Sequence, residues 1–211
     1  MLKLAVLASG RGSNLQALID AIDMGELDAG IAGVFSDKAA SGALAIARGA
    51  GVTAMHIDPK AYASRAAFDA ALFAAVDASG AELIVCAGFM RILSPEVVAP
   101  RTSRMLNIHP SLLPKYPGLH THQRALEAGD REHGASVHAV IPALDAGPLI
   151  AQTRIAIEPG DSPERLAARL LPREHQLLLQ VVRWIAEGRL RFDAQAVHFD
   201  ERRLSEPLRV G

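Results

Sequence analysis

The sequence predicts an α/β protein: an open, mostly parallel, twisted sheet with helices on both faces and antiparallel pairing late in the chain. Three observations predict it. Short apolar runs alternate with helix-period segments through the first half. The run Leu83-Ile84-Val85-Cys86-Ala87 is apolar at every position, as a strand covered on both faces requires. Two later strand-like runs, 135–141 and 149–157, are joined only by the turn-rich Pro142-Ala143-Leu144-Asp145-Ala146-Gly147-Pro148, which suits antiparallel neighbours.

Taken in order, residues 2–8 read as a strand and Gly10-Arg11-Gly12-Ser13-Asn14 as a tight turn. Leu15, Leu18, Ile19 and Ile22 then recur at helical spacing, and Gly25 marks the end of that helix. A strand fits 30–35, a helix 43–48 before Gly49, a strand 53–57, and a helix from about Ser64 to Ala78. The buried run 83–87 and a further strand at 105–109 follow. Strand, helix and strand repeated in this way imply right-handed crossovers. Residues 111–118 hold too many prolines for a regular element and read as a structured loop, followed by a short helix over 123–128.

The last long helix starts at Ser162 as N-cap, with Pro163 at its first position and Glu164 in its first turn. Leu166, Leu170, Leu177, Val181 and Trp184 form its apolar stripe and Gly188 stops it. Pro172, lacking a backbone donor, predicts a kink inside it. Residues 189–211 are polar and read as a surface tail. With no repeat or linker, the chain 1–211 reads as one domain.

Composition excludes several classes. The 22 Lys and Arg against 23 Asp and Glu leave a formal charge of −1, without the basic excess of a protein that grips a nucleic-acid backbone. The single cysteine, Cys86, excludes an internal disulfide and any zinc site built on several thiolates. No apolar stretch reaches the ~20 residues of a membrane span, and the first residues lack a charged leader with a long apolar run. A soluble cytoplasmic domain is expected.

Open parallel sheets bind ligands beyond the carboxyl ends of their strands, which directs attention to residues 10–14, 88–93 and 107–110. Glycines two apart, followed by Ser13 and Asn14 entering a helix, let the backbone approach an anion closely. Leu15 stands where a dinucleotide fingerprint needs its third glycine, so a lone phosphate fits better than a dinucleotide. The alternative is a tight turn with an Asn cap. Asn107 and His109, two apart on a strand, point the same way and can reach one reacting atom. An amide beside an imidazole suits an oxyanion formed in acyl transfer, with Asp145 as a carboxylate to orient the ring and hold it charged. The alternative is that both side chains serve loop backbone. His120, His122, His133 and His138 lack the company of a metal site, and no metal is expected.

The segments Ser9-Gly10-Arg11-Gly12-Ser13-Asn14-Leu15-Gln16, Ala87-Gly88-Phe89-Met90-Arg91-Ile92-Leu93-Ser94 and Asn107-Ile108-His109-Pro110-Ser111-Leu112-Leu113-Pro114 occur in this order. Gly118-Leu119-His120-Thr121-His122 and Asp145-Ala146-Gly147-Pro148 follow. The set resembles the folate-dependent phosphoribosylglycinamide formyltransferase family over roughly residues 2–190. The resemblance implies a Rossmann-like formyltransferase fold with a phosphate-binding half (1–100) and a folate and catalytic half (101–190), the remainder being the tail. It implies formyl transfer from 10-formyltetrahydrofolate to the amine of glycinamide ribonucleotide in purine biosynthesis. Asn107, His109 and Asp145 would be catalytic. Gly12, Ser13, Asn14 and Glu174 would hold the ribonucleotide. Arg65, Met90, Arg91, Ile92, Leu93, Asn107, Ile141 and Leu144 would contact the folate, with the 141–145 loop over the pterin. The partners implied are these small molecules, with no nucleic acid and no membrane, in a monomer or homodimer.

Rival expectations come from the same loop motif. Methionyl-tRNA formyltransferases carry a further C-terminal domain and need a basic surface for tRNA, and formyltetrahydrofolate hydrolases carry an N-terminal regulatory domain. A phosphate-sensing module without catalysis would give Asn107, His109 and Asp145 no reason to coexist.

Overall fold

The apolar runs become strands and the periodic segments become helices. In chain order they are β1 (Leu2–Leu7), α1 (Ser13–Asp23), β2 (Ala29–Ser36), α2 (Gly42–Gly49), β3 (Ala54–His56), α3 (Arg65–Ala78) and β4 (Leu83–Cys86). Next come α4 (Pro95–Val98), β5 (Met105–His109), α5 (Thr121–Glu127), β6 (Glu132–Ala139), β7 (Leu149–Ala156) and α6 (Pro163–Ala186). Four short strands close the chain: β8 (Leu190–Phe192), β9 (Val197–Phe199), β10 (Arg202–Arg203) and β11 (Leu208–Arg209). This computed structural model describes residues 1–211.

Eight strands form one sheet in the order β11-β7-β6-β5-β4-β1-β2-β3, and β10-β9-β8 form a small second sheet. From β3 across to β5 every pair is parallel. The β5–β6 and β6–β7 pairs are antiparallel, as the short 140–148 connection requires. Each face of the sheet carries its own apolar layer. On one, α1, α2 and α6 cover residues such as Leu4, Val6, Val85, Leu106 and Ile108. On the other, α3 and α4 bury Leu7, Ile84 and Met105 beneath Phe68, Leu72, Phe73 and Val97. Strand β4 contributes to both layers, which is why its sequence shows no alternation.

Helix α6 runs on through Pro172 as a single helical element. Pro172 and Ala168, whose carbonyl loses its usual donor, both lie on the exposed side, where water can serve that carbonyl. The segment after 188 is no surface tail. Leu190, Phe192 and Val197 are buried in the larger apolar layer, and Leu208 and Arg209 pair with Ala151 and Gln152 as a parallel edge strand. The polar residues misled because strands as short as these alternate buried and exposed positions, so half of each is polar.

The burial of the C-terminal segment sets an expected outcome. Replacing Phe192, 7% exposed, by Ala should lower the unfolding free energy by ~3 kcal/mol in urea titration, the usual range for an emptied aromatic site. A loss below ~0.5 kcal/mol would put the segment back on the surface.

Candidate active site

Strands β1 and β4 are neighbours whose following elements leave in different directions, β1 toward β2 and β4 toward β5. Their carboxyl ends therefore flank a crevice, the usual ligand position in such sheets. On its β1 side the loop to α1 is fixed from outside. Ser41 Oγ and the Ala43 N–H both donate to the Gly10 carbonyl, at 3.1 and 3.2 Å. Gly12 has φ 84°, and a Cβ there would stand 2.7 Å from the Ala43 Cα. Gly12 is thus demanded first by the packing of α2 against the loop, a reason that the sequence pattern alone does not distinguish from ligand approach. Ser13 and Asn14 open α1, where the first backbone amides lack helical partners. Across from them Glu174 projects from α6. Burial drives its carboxyl up to about 7, against the opposing pull of the Arg11 charge and the Asn14 side chain.

On the β4 side, the loop 88–94 is held at two points. Ser9 Oγ donates to Asp37 Oδ1 at 2.6 Å and accepts from the Met90 N–H at 2.9 Å. Asp69, fully buried on α3, accepts the Ser94 N–H at 2.8 Å. Arg91 lies over the Phe68 ring, 4.8 Å from its centroid. Phe89, Arg91, Ile92 and Leu93 line one wall of a cleft of ≈ 100 Å³; Val140, Ile141, Leu144 and Asp145 line the other, with Asn107 and His138 between them.

Asn107 and His138 are direct partners in the antiparallel β5–β6 register, which places their side chains on one face. His138 Nδ1 donates to the Ala139 carbonyl at 2.9 Å, leaving Nε2 to accept from Asn107 Nδ2 at 3.1 Å. This fixes the amide and leaves its second N–H free. His109 Nε2 donates to the Tyr116 carbonyl at 2.9 Å, so Nδ1 faces Asp145 Oδ2 at 3.6 Å. The other oxygen, Oδ1, lies 3.6 Å from His138 Nε2, and the Gly118 N–H donates to Oδ2 at 2.8 Å. Burial raises the Asp145 pKa, but His138, the Gly118 amide and His109 together outweigh it and hold the group below 3.8. Asp145 is therefore a carboxylate. Burial also dominates His109, pushing its ring below 6.5 despite the Tyr116 carbonyl and Asp145. The resting ring is neutral, correcting the expectation of a charged one.

Tyr116, His120 and Asp145 all have positive φ (57°, 58° and 48°), an arrangement that concentrates backbone strain around His109. Asp130 secures the first of these loops, accepting from Lys115 Nζ at 2.8 Å and from the Tyr116 hydroxyl at 2.8 Å. Behind it, His122 and His133 meet ring nitrogen to ring nitrogen at 3.0 Å, and burial drives His133 down to about 4.

Of the residues expected at the site, Asn107 and Asp145 meet in the cleft with Arg91, Ile92, Leu93, Ile141 and Leu144, and His109 adjoins through Asp145. Ser13, Asn14 and Glu174 gather at the start of α1. Met90 sends its side chain outward, 62% exposed, and Arg65 is exposed at the start of α3, outside the cleft. Sequence reading missed His138, whose place depends on a strand register that only the folded β5–β6 ladder defines.

Residues 2–182 match the family model described as formyl transferase. The chain is 46% identical over 203 residues to the phosphoribosylglycinamide formyltransferase of Escherichia coli, covering 96% of each chain. It is 42% identical to that of Haemophilus influenzae, covering 97% of this chain and 96% of the relative. The solved structure of the Coxiella burnetii phosphoribosylglycinamide formyltransferase superimposes with a TM-score of 0.95 at 44% identity, covering 100% of this chain and 99% of that one.

Two outcomes follow from the charges. Asp145→Asn should lower the His109 pKa further, since the carboxylate opposes the effect of burial; NMR titration of the ring reads this, and an unchanged or raised value would refute the coupling. For Glu174, a native pKa of about 7 against an ordinary 4.5 means that the folded chain keeps a proton the unfolded chain has lost between those values. Stability should fall as pH rises through that window. Glu174→Gln should flatten this part of the profile in urea titrations at pH 5 and pH 8; an unchanged slope would place the proton elsewhere.

Proposed function

The chain belongs to the formyl transferase family, and from that premise we propose that it transfers the formyl group of 10-formyltetrahydrofolate to the amine of N1-(5-phospho-D-ribosyl)glycinamide in purine biosynthesis. One observation carries the reading. Asn107, Asp145 and the flanking His109 converge beside a cleft walled by 89–93 and 141–145, and the start of α1 lies across the same crevice. One side offers an apolar slot for a flat ring system, the other an anion-binding helix start, and the acyl-transfer groups stand between.

The residues present fit a folate. Ile92, Leu93, Ile141 and Leu144 supply apolar walls, and their backbones supply edge hydrogen-bonding groups. When bound, the folate supplies an activated formyl carbon for the ribonucleotide's amine to attack.

What the chain does follows from its hydrogen-bond geometry. The free N–H of Asn107 is an oxyanion donor whose direction His138 fixes. His109 Nδ1, unprotonated at rest and facing Asp145, can accept the proton that the attacking amine releases. The imidazolium so formed has both N–H groups satisfied, one by the Tyr116 carbonyl and one by the Asp145 carboxylate. Burial disfavours the charged ring, so Nδ1 gives the proton up again, by way of a water, to the leaving nitrogen. No covalent intermediate is needed, and holding both reactants in line supplies much of the remaining acceleration.

The direct test is the absorbance change of deformylated folate, measured with and without the ribonucleotide. Product only in its presence supports transfer; release without it would make the protein a hydrolase. His109→Ala and Asn107→Ala should each cut kcat by ~10²–10³ while circular dichroism and the unfolding midpoint stay near those of the parent. Near-normal turnover in both folded variants would overturn the assignment.

A further inference from the structure

One charged side chain at the crevice has no role in the reading above. Arg11 sits between Gly10 and Gly12, is exposed, and belongs to none of the chain's ion pairs. Its backbone is nonetheless tightly placed. The Arg11 carbonyl oxygen lies only 2.6 Å from where a Cβ on Gly42 would stand, so the start of α2 fits against it with no space for a side chain. The base of the side chain is therefore fixed while its guanidinium is free.

Arg11 shares a cavity of ≈ 370 Å³ with Ser13 and Gln16 of α1, Ile46 of α2 and His175 of α6. Asp20, the one carboxylate on its wall, already accepts a hydrogen bond from Gln16 Nε2 at 2.7 Å. His175 Nε2 is buried without a partner, and so is Asn14 Oδ1 beside the same loop. The Arg11 charge pulls the Glu174 pKa down, but burial outweighs it. A cavity with an unpaired cation, a hydroxyl and the start of a helix, all at one glycine-flanked turn, is complementary to a compact dianion.

We propose that Arg11 is a specificity-determining residue that reads the phosphate of the ribonucleotide across this cavity. The inference rests on the substrate reading above and adds to it a residue outside the glycine turn's backbone contacts. Guanidinium geometry suits it, because the planar fork meets two phosphate oxygens at once, whereas an ammonium meets them as a point charge. Arg11 is exposed, so its contribution is moderate and sensitive to ionic strength.

The test compares the ribonucleotide with its 5′-dephosphorylated riboside as formyl acceptor, in the parent protein, Arg11→Ala and Arg11→Lys. Arg11→Ala should raise KM for the ribonucleotide about five- to tenfold with kcat within about twofold. Its kcat/KM for the riboside, which lacks the group Arg11 reads, should differ from the parent's by less than about twofold. Arg11→Lys should recover part of the loss, and ribonucleotide binding should weaken less with added salt in Arg11→Ala than in the parent. Equal losses on both acceptors, or none on either, would overturn the proposal. Calorimetry with ribose 5-phosphate keeps the two readings apart. If the parent formylates neither acceptor, the substrate reading fails, while an affinity for ribose 5-phosphate that falls in Arg11→Ala still supports Arg11 and an unchanged affinity overturns it.

Discussion

A carboxylate held in a nearly closed corner must be compensated, and Asp145 imposes that requirement on three separate stretches of chain. Its side chain is 9% exposed, and an uncompensated charge in such a place costs several kcal/mol. The 110–120 loop answers with the Gly118 amide, and the rings of His109 on β5 and His138 on β6 stand 3.6 Å from its two oxygens, each within reach if protonated. None of these is adjacent to Asp145 in sequence, so satisfying one charge fixes where a loop and two strands meet. The positive φ of Asp145 is part of the same constraint, since it turns the side chain inward from an otherwise exposed connection. His109 is held beside it by the Tyr116 carbonyl at its other nitrogen.

The two halves of the crevice are likewise joined by a single small residue. The Ser9 hydroxyl, buried at the end of β1, serves Asp37 after β2 and Met90 after β4. A shift of the glycine turn is thereby transmitted to the loop that lines the cleft, and the reverse. Asp69 performs a similar service at the far end of that loop, through Ser94. The cleft wall is thus a strip of backbone pinned at both ends, with its middle left available for a ligand's edge. Binding groups carried on a preorganised strip lose little freedom when they engage.

How much of this could be read from sequence depended on whether a feature is local. The βα alternation, the Ser64 and Ser162 caps, the fully apolar β4 and the pairing of Asn107 with His109 on one strand are all encoded within a few residues. His138 escaped because its role depends on register: one residue's slip along β6 would turn its ring to the other face. Gly12 also packs against Ala43, more than thirty residues away in sequence, an obligation that no local pattern shows. The 189–211 segment was read as a surface tail because two- and three-residue strands carry too few positions to show a period. Tertiary contacts, rather than propensity, decide each of these.

The way the main sheet ends has its own consequence. Its two rims are β3, three residues long, and β11, two residues long. The inner strands β6 and β7 run to eight residues each and would offer long rows of unpaired backbone groups if left at an edge. Placing the shortest strands outermost leaves little ladder on which a stray extended chain could grow. For β7 that cover comes from residues nearly sixty positions further along, so on a ribosome its outer edge stays open until that later segment has emerged. The strand is therefore made well before the residues that protect its edge.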